Sequence, residues 1–461
     1  MLSTPLETYS DAVDYLYSFV NWEIERHVRY APETMTLERP RTALAALGDP
    51  QQRYPTVHVT GTKGKGSVSA MCAAAFQASE LKTGFYSSPH LQDFRERFRI
   101  DNQLIAPDDF TALVNQLRPV IEAIPHMTWF EVTTVLAFLY FAQKKVDVAV
   151  IEVGLGGRLD ATNVITPVVS VITSLSYDHT YLLGDTLASI AREKGGIIKP
   201  GVPVVSAPQP PEALEILTEI AAGRGASLTL VGDDWEYVPE ATTWNGEQFR
   251  AGPIGQPLEL YRTALAGEHQ ALNATVALAA LDHARRAGIP VTPEGIRAGF
   301  EHVDWPGRLE IVNYSPVLVL DAAHNGESAR RLATALGEMF PQHPRALIFG
   351  ASADKDVLGM FKALLPLFDF LIAAQAVHPR ALAPDAIEST ARQARFTGPV
   401  YEIPDVQGAL QRSVELVGPA GLICTTGSIF IVGEMRTVCG LPVGHVLPVV
   451  QPPATATGEH L

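Results

Sequence analysis

Short apolar runs that read as β-strands alternate with segments of helical length along most of this chain. In the first half the runs are PTVHVT, KTGFYS, VDVAVIEV, VVSVIT and VPVVSA, and in the second half PVLVLDA, RALIFGA, FDFLIAA, PVYEI and GLICTTG. Such alternation predicts parallel sheets whose strands are connected by helices. The expected fold class is α/β with two domains: an N-terminal P-loop-type domain with a mainly parallel sheet, and a smaller Rossmann-like C-terminal domain.

Changes in composition mark the expected domain boundaries. Residues 233–265 are rich in tryptophan, glycine and proline with short β-prone pieces, which indicates a small β excursion on the first domain. The run HVDWPGR, residues 302–308, combines turn formers with a restart of the strand pattern, so we expect the interdomain hinge there. The predicted domains are therefore residues 1–303 and 304–440, followed by a loosely ordered tail over 441–461.

Composition and charge exclude several classes of protein. The 461 residues are 47% hydrophobic and carry a formal net charge of -15, which favours small-molecule substrates over nucleic acid or an anionic membrane surface. Cys72, Cys424 and Cys439 follow neither a metal-binding nor a disulfide spacing, as is typical of proteins in the reducing cytosol. The sequence shows no signal or transit peptide and no run of membrane-spanning length, so we expect a cytoplasmic protein.

The segment VHVTGTKGKGS, residues 57–67, joins an apolar strand to a helical pattern through a glycine-rich turn with two lysines. Glycines expose backbone N–H groups to a phosphate, the helix N-terminus adds positive potential, and a lysine can meet the outer phosphates. The strict Gly-Lys-Ser/Thr ending is not met, because Gly66 separates Lys65 from Ser67. The strand-to-helix context favours an ATP site over a plain glycine turn with solvated lysines.

Polar residues also follow other predicted strands, where open α/β sheets form their ligand crevices. They include Ser87 to His90, Glu152, His179, Asp321 and His324. A carboxylate such as that of Glu152 can hold Mg²⁺ against ATP. Taken singly, each also has an ordinary interpretation as a strand-end charge, a structural histidine or a turn-capping serine. Lys194, within a predicted helix, would by itself be a solvated lysine.

Several segments occur in a fixed order from about Tyr15 to Met435: TGTKGKGS, SSPHL, EVGLGGRLDATN, DHTYLLGDT, REKGGIIK, GEHQALNA, WPGRLE, DAAHN and GSIFIVGE. In these motifs and this order the chain resembles the folylpolyglutamate synthase and dihydrofolate synthase family of the Mur ligase superfamily. The resemblance implies an ATP-dependent amide ligase. In such an enzyme a substrate carboxylate attacks the γ-phosphate of ATP, and the amine of L-glutamate captures the acyl phosphate.

The resemblance also implies roles for individual residues. The nucleotide would be bound by Gly61, Thr62, Lys63, Gly64, Lys65, Gly66, Ser67, Asn273, Arg308, Asp321 and His324. Two Mg²⁺ ions would be held by Ser88, Glu152, His179 and a carbamylated Lys194. The catalytic group would be Lys65, Lys194, His179 and Glu152. The pterin substrate would be bound by Ser87, Pro89, His90, Thr128, Phe130, Asp160 and Ala161.

By the same resemblance, the Asp160–Ala161 pair implies a bifunctional enzyme that accepts dihydropteroate as well as reduced folate. We expect a monomer with no nucleic-acid or membrane partner. The alternatives are a folylpolyglutamate synthase with that activity alone, another Mur-type amino-acid ligase, and a nucleotide-binding module that has lost catalysis.

Overall fold

The computed structural model describes residues 4–20, 35–178 and 180–445. Within them the helices are α1 (Tyr9–Tyr17), α2 (Glu38–Ala46), α3 (Lys65–Ala78), α4 (Pro107–Glu122), α5 (Trp129–Lys144), α6 (Thr180–Leu183), α7 (Leu187–Lys194), α8 (Pro211–Gly223), α9 (His269–Arg286), α10 (Pro293–Glu301), α11 (Gly326–Met339), α12 (Val357–Leu364), α13 (Pro384–Gln393), α14 (Val406–Val417) and α15 (Ile429–Val438). The strands are β1 (Thr56–Thr60), β2 (Thr83–Tyr86), β3 (Phe98–Ile100), β4 (Gln103–Leu104), β5 (Val148–Glu152), β6 (Val169–Ile172), β7 (Val204–Ser206), β8 (Leu228–Leu230), β9 (Trp235–Thr243), β10 (Gly246–Pro253), β11 (Glu259–Thr263), β12 (Glu310–Tyr314), β13 (Val317–Leu320), β14 (Arg345–Phe349), β15 (Phe370–Ala373), β16 (Val400–Glu402) and β17 (Leu422–Thr426).

The N-terminal sheet has the strand order β4-β3-β2-β5-β1-β6-β7-β8. The neighbouring strands along β2-β5-β1-β6-β7-β8 pair in parallel, whereas β3 and β4 form an antiparallel edge next to β2. The order puts β1 between β5 and β6, so the carboxyl ends of these three strands meet at one edge. That edge carries the glycine-rich loop, Glu152 and the segment after β6, as expected for the crevice of an α/β sheet.

Helices cover both faces of this sheet, which explains why β1 and β5 are buried at every residue. Val148 and Val150 of β5 pack into one core with α3 and α9, while Ala149 and Ile151 pack into another with α4 and α5. Alternate residues of a strand point to opposite faces, so one apolar run supplies both cores.

The expected β excursion is a separate antiparallel sheet in the order β11-β10-β9. It is rooted in the first domain, because Phe249 and Ala251 of β10 belong to the same core as α3 and α9. Helix α9 follows it and places Asn273 one turn after its start.

The C-terminal sheet has the order β12-β13-β17-β14-β15-β16, and all its pairs except antiparallel β12–β13 are parallel. The predicted α/β class with a second, smaller α/β sheet is confirmed. Strand β12, with Glu310 and Asn313, was not predicted because its polar residues break the apolar pattern. The boundary at 303/304 stays a prediction, and most of the proposed tail, residues 446–461, lies outside the described residues. Within the described part of the chain, no helix is both long and apolar enough to cross a bilayer.

Candidate active site

The loop between β1 and α3 takes a conformation that suits only glycine. Gly61 has a φ of 149°, and a Cβ there would lie 1.9 Å from Thr173 Oγ1. Gly64 has a φ of 91°, and its Cβ would lie 2.4 Å from Asn273 Oδ1. Residues with a side chain rarely adopt such dihedrals, and both neighbours occupy the space a side chain would need. The glycines therefore seat the loop between the end of β6 and helix α9.

Helix α3 begins directly after this loop without a side-chain cap. Its N-cap residue, Gly64, makes no side-chain hydrogen bond. The N–H groups of Thr62 and Lys63 are used inside the protein, since both donate to the carbonyl oxygen of Ser174, at 3.0 and 3.1 Å. The first turn of α3, from Lys65, thus presents its amide groups and the positive end of the helix dipole to an anion.

Lysine side chains converge on the same loop. The Nζ atoms of Lys65 and Lys194 donate to the carbonyl oxygen of Gly61 at 3.1 and 2.9 Å. Burial, together with the Lys65 charge, lowers the pKa of Lys194 from 10.5 to about 7. Lys63 lies 3.5 Å from Asp178 Oδ2, and burial lowers its pKa as well. Near neutral pH a large share of Lys194 is therefore an uncharged amine.

Tight glycine packing holds Lys194 against the loop after β5. A Cβ on Gly157 would lie 2.9 Å from the carbonyl oxygen of Lys194, and one on Gly196 would lie 2.4 Å from Arg158 Cβ. The backbone N–H of Arg158 donates to the carbonyl oxygen of Glu193 at 2.8 Å, and their side chains pair at 2.8 Å. The motifs EVGLGGR and REKGG, distant in sequence, thus form one packed unit.

Glu152, the last residue of β5, lies beside Val59 of β1 in the sheet register. It is 4% exposed. Burial raises its pKa, and the Lys65 charge is the largest opposing influence. One of its oxygens accepts the backbone N–H of Ser88 at 3.3 Å, which brings the SSPH segment beside the carboxylate.

The donor set beside the loop fits a Mg²⁺ ion held mainly by phosphate oxygens. Glu152 offers one buried carboxylate, and the Ser88 residue, with its hydroxyl, adjoins it. Across the described residues, no three acidic, histidine or cysteine side chains gather into a metal cluster. Mg²⁺ commonly takes one or two carboxylates and completes its shell with water and phosphate. Of the two further predicted ligands, Lys194 lines the same cavity and His179 lies outside the described residues.

Asp321 reaches the crevice from the C-terminal domain, just after β13. Its carboxylate accepts the backbone N–H groups of Leu309 and Ala323 at 2.9 and 2.8 Å. Burial raises the pKa of Asp321, and the Arg308 charge is the strongest influence that lowers it. Asp321 thereby ties the strand end to the hinge segment.

His324 faces the glycine-rich loop across the crevice. Its Nδ1 lies 3.0 Å from the carbonyl oxygen of Ala322. Burial, followed by the Lys63 charge, lowers its pKa to about 3, so the imidazole is neutral. The nearby charge of Glu327 on α11 raises the pKa of Lys63, whereas burial lowers it. The two domains therefore present their predicted nucleotide-binding residues to one another.

These residues line one cavity of about 270 Å³ between the domains. The predicted residues in its wall are Gly61, Thr62, Lys63, Gly64, Lys65, Gly66, Ser67, Ser88, Pro89, Glu152, Lys194, Asn273, Arg308, Asp321 and His324. Residues that the sequence reasoning missed are Gly154, Leu155, Asp178, Leu183, Ala266, His269, Gln270, Leu309, Ala322, Ala323, Ser328, Arg331, Leu332 and Ala335. Gln270 and Asp178 lie inside motifs that the sequence analysis recognised, so their place in the site could have been predicted. Arg331, Leu332 and Ala335 lie on an ordinary amphipathic helix, and nothing in its sequence indicates a binding site.

The residues predicted to bind the pterin substrate do not all line one cavity. Ser87, with Pro89, lines a smaller adjoining cavity of about 40 Å³. His90 Nδ1 accepts the Nε–H of Arg97 at 3.0 Å, and burial lowers the pKa of His90 to about 3. Neither cavity wall includes His90.

Thr128 and Phe130 lie at the start of α5, behind the loop that follows β5. Thr128 caps the helix by accepting the backbone N–H of Glu131 at 3.3 Å. The ring of Phe130 packs so closely on Gly154 that a Cβ there would lie 2.5 Å from it. Because Gly154 itself lines the main cavity, Phe130 is one residue layer away from it.

Asp160 and Ala161 are 4% exposed and lie beneath the cavity wall. Asp160 accepts the backbone N–H of Leu155 at 3.0 Å and that of Thr162 at 3.0 Å. The hydroxyl of Thr162 faces His58 Nε2 at 2.9 Å. Through these hydrogen bonds Asp160 shapes the loop that follows β5. A contact between Asp160 and substrate stays a prediction.

Two family models match the chain in succession. Residues 59–281 match the Mur ligase middle domain, and residues 307–429 match the Mur ligase glutamate ligase domain.

Two curated relatives match over nearly their whole length. The dihydrofolate synthase/folylpolyglutamate synthase of Bacillus subtilis (strain 168) is 35% identical, with 87% of this chain and 94% of the relative covered. The folylpolyglutamate synthase of Lacticaseibacillus casei is 37% identical, with 93% and 98% covered.

Solved structures share the two-domain fold. Mycobacterium tuberculosis folylpolyglutamate synthase complexed with ADP superposes with a TM-score of 0.86 at 33% identity, covering 94% of this chain and 99% of that one. E. coli FolC in complex with DHPP and ADP superposes with a TM-score of 0.83 at 29% identity, covering 95% and 99%.

Proposed function

The chain belongs to the folylpolyglutamate synthase and dihydrofolate synthase family of Mur ligases, and from this premise we propose that it joins L-glutamate to both dihydropteroate and reduced folate. It is an ATP-dependent ligase acting on folates. The observation that carries the proposal is the cavity in which an uncapped helix start, Lys65, Glu152 and Lys194 face Asp321 and His324 of the other domain.

The chemistry requires charge neutralisation and positioning more than covalent help from the protein. The substrate carboxylate attacks the γ-phosphorus, ADP leaves, and an acyl phosphate remains. The amine of glutamate then attacks the acyl carbon, phosphate leaves, and the amine gives up a proton as the amide forms. Lys65 and the first amides of α3 would hold the transferring phosphoryl group, and Arg308, which lines the same cavity, would approach it from the segment before β12.

Mg²⁺ would be held by Ser88 and Glu152, with His179 and a carbamylated Lys194 as further ligands. When bound, it would neutralise phosphate charge. A carbamate forms when a neutral amine attacks CO₂ and loses a proton. The lowered pKa of Lys194, about 7, supplies that neutral amine near physiological pH, and the modification would replace a cation with an anionic oxygen ligand.

Bifunctionality rests on the Asp160–Ala161 pair and on the B. subtilis relative, which carries both names. Asp160 organises the loop that holds Gly154 and Leu155 in the cavity wall. Through this loop Asp160 would act on the shape of the cavity wall that faces the pterin substrate.

The deciding experiment measures ADP release by purified protein with Mg²⁺-ATP, supplying dihydropteroate in one reaction and tetrahydrofolate in another. Release that depends on L-glutamate with both acceptors supports the proposal. Release with only one acceptor would show that the enzyme has only the activity that uses that acceptor. Nucleotide binding without release under either condition would contradict the ligase and favour a module that has lost catalysis.

We also propose a cytoplasmic monomer that uses no nucleic-acid partner. The three cysteines are free thiols, and both Cys72 and Cys424 are buried, in keeping with a reducing compartment. Light scattering of the purified chain tests the oligomeric state.

A further inference from the structure

The tip of the β9–β10 hairpin leaves the N-terminal domain and contacts the C-terminal one. Strands β9 and β10 are joined by the two residues Trp244 and Asn245, with Thr243 paired to Gly246. The Trp244 ring stacks on Phe340 at 5.1 Å and on Tyr314 at 6.0 Å between ring centroids. Its indole N–H donates to the carbonyl oxygen of Met339 at 2.6 Å.

The contact lies at the far end of a helix that lines the nucleotide cavity. Met339 is the last residue of α11, and its carbonyl is among those that a helix leaves without an internal partner. One to three turns earlier, α11 contributes Ser328, Arg331, Leu332 and Ala335 to the cavity wall. Because a helix moves largely as a rigid body, holding its last turn also holds this wall.

The three-stranded sheet that carries the hairpin is anchored in the N-terminal domain, beside helix α3. The Thr263 hydroxyl, on neighbouring β11, donates to Met71 Sδ of α3 at 3.7 Å. A Cβ on Gly246 would lie 1.8 Å from the carbonyl oxygen of Thr263, so β10 and β11 pack without a gap. Phe249 of β10 is fully buried in the core that contains α3.

The same sheet also leads into the opposite wall of the cavity. Strand β11 ends at Thr263, and Ala266, His269 and Gln270 follow it in the chain and line the cavity. One rigid sheet therefore connects three parts of the site: helix α3 with Lys65, the start of α9, and, through Trp244, helix α11 of the other domain.

We propose that Trp244 is a positioning residue that sets the distance between the two walls of the nucleotide cavity. It lines neither of the two cavities. Its stack and hydrogen bond favour the domain orientation in which α11 closes on the nucleotide held by the phosphate loop. If the binding-competent orientation becomes rarer, apparent affinity falls in proportion to its population. The inference rests on the proposed function only in taking ATP as the ligand.

The test compares Trp244→Ala, Trp244→Phe and the matched control Trp235→Phe, which replaces the half-buried tryptophan at the root of the same strand. Binding of a non-hydrolysable ATP analogue is titrated directly, and KM for ATP, KM for tetrahydrofolate and kcat are measured. We expect Trp244→Ala to weaken nucleotide binding about tenfold, roughly the effect of losing the ring stacking and one hydrogen bond. Trp244→Phe keeps a stack and should lose about threefold, and Trp235→Phe should bind like the parent.

A second variant separates positioning from simple loss of stability. In the double-mutant cycle of Trp244→Ala with Tyr314→Leu, the effects on nucleotide affinity should be non-additive, because both changes break the same contact. Unchanged nucleotide affinity in Trp244→Ala, or equal losses for ATP and tetrahydrofolate with a lowered melting temperature, would overturn the proposal. Since analogue binding needs no turnover, this result is independent of whether the parent enzyme ligates glutamate.

Discussion

Gly66 of the glycine-rich loop lies directly against the indole of Trp305 in the predicted interdomain hinge, residues 302–308: a Cβ on Gly66 would come within 2.7 Å of Trp305 Cζ2. Trp305 is itself held by Phe85, at 5.4 Å between ring centroids, and lies under the Arg99 guanidinium at 5.6 Å. This contact explains why a glycine interrupts the usual Gly-Lys-Ser order. The hinge needs the space that a side chain after Lys65 would fill.

Gly66→Ala should therefore destabilise the protein and weaken nucleotide binding, because the methyl group displaces either the indole or the loop. We expect the free energy of unfolding to fall by about 1–3 kcal/mol, the usual cost of overpacking. Urea denaturation measures it. Gly223→Ala is the matched control, because that helical glycine has no neighbour within 4 Å of an added Cβ. An unfolding curve for Gly66→Ala that coincides with that of the parent would contradict the contact.

Replacing Lys194 should stabilise the fold in a pH-dependent way. The folded-state pKa is about 7 and the reference value 10.5, so the unfolded chain binds the extra proton between these values. Burial of Lys194 thus costs stability that grows as pH falls from about 10.5 and levels off below about 7, by roughly 1.4 kcal/mol for each pKa unit. Lys194→Met should therefore gain most over the parent at pH 6 and little at pH 10.

This comparison is made by urea denaturation in CO₂-free buffer, so that the amine stays unmodified. A gain that is the same at both pH values would rule out the lowered pKa as its cause. Ligase activity of Lys194→Met should be lost, and a short carboxylic acid added to Lys194→Ala should restore part of it if a carbamate is the working form.

Lys65 and Lys63 should differ sharply in their importance for phosphoryl transfer. Lys65 begins α3 and lies beside Glu152, whereas Lys63 is paired with Asp178. Removing a charged donor to the transferring group costs about 10²–10³ in kcat, so we expect that loss for Lys65→Met. Lys63→Met should lose less and mainly raise KM for ATP. Steady-state ADP release measures both, and equal kcat losses would contradict the distinction.

The buried ion pair between Arg436 of α15 and Glu310 of β12 should be costly to break from one side. Both side chains are almost wholly buried, and Arg436 also donates to Gln92 Oε1 of the first domain at 2.8 Å. Arg436→Met leaves an unpaired buried carboxylate, and we expect a loss of about 3–5 kcal/mol by chemical denaturation. The double variant with Glu310→Leu should recover much of it, and a double variant as unstable as the sum of the singles would contradict this account.

The elements around the phosphate loop follow from local sequence. The alternating apolar runs appear as strands, and helix α9 spans the predicted His269 to Arg286, because helix and strand periodicity depend on neighbours along the chain. Besides β12, whose polar residues break the apolar pattern, three short strands were missed. Strands β3, β4 and β8 have too few residues to show a period, and their pairing partners define them.

The motifs in the sequence were sufficient to identify the family and to predict the ATP site and the two α/β domains, since each motif is a short run whose residue types are set by backbone and phosphate chemistry. What only the tertiary structure decided is how the parts meet. Strand order brings Glu152 beside the loop, the closing of two domains puts Arg331 in the cavity wall, and the hairpin tip carries Trp244 onto α11. These contacts join residues far apart in the chain, so no local pattern records them; their energy depends on burial and distance in the folded molecule.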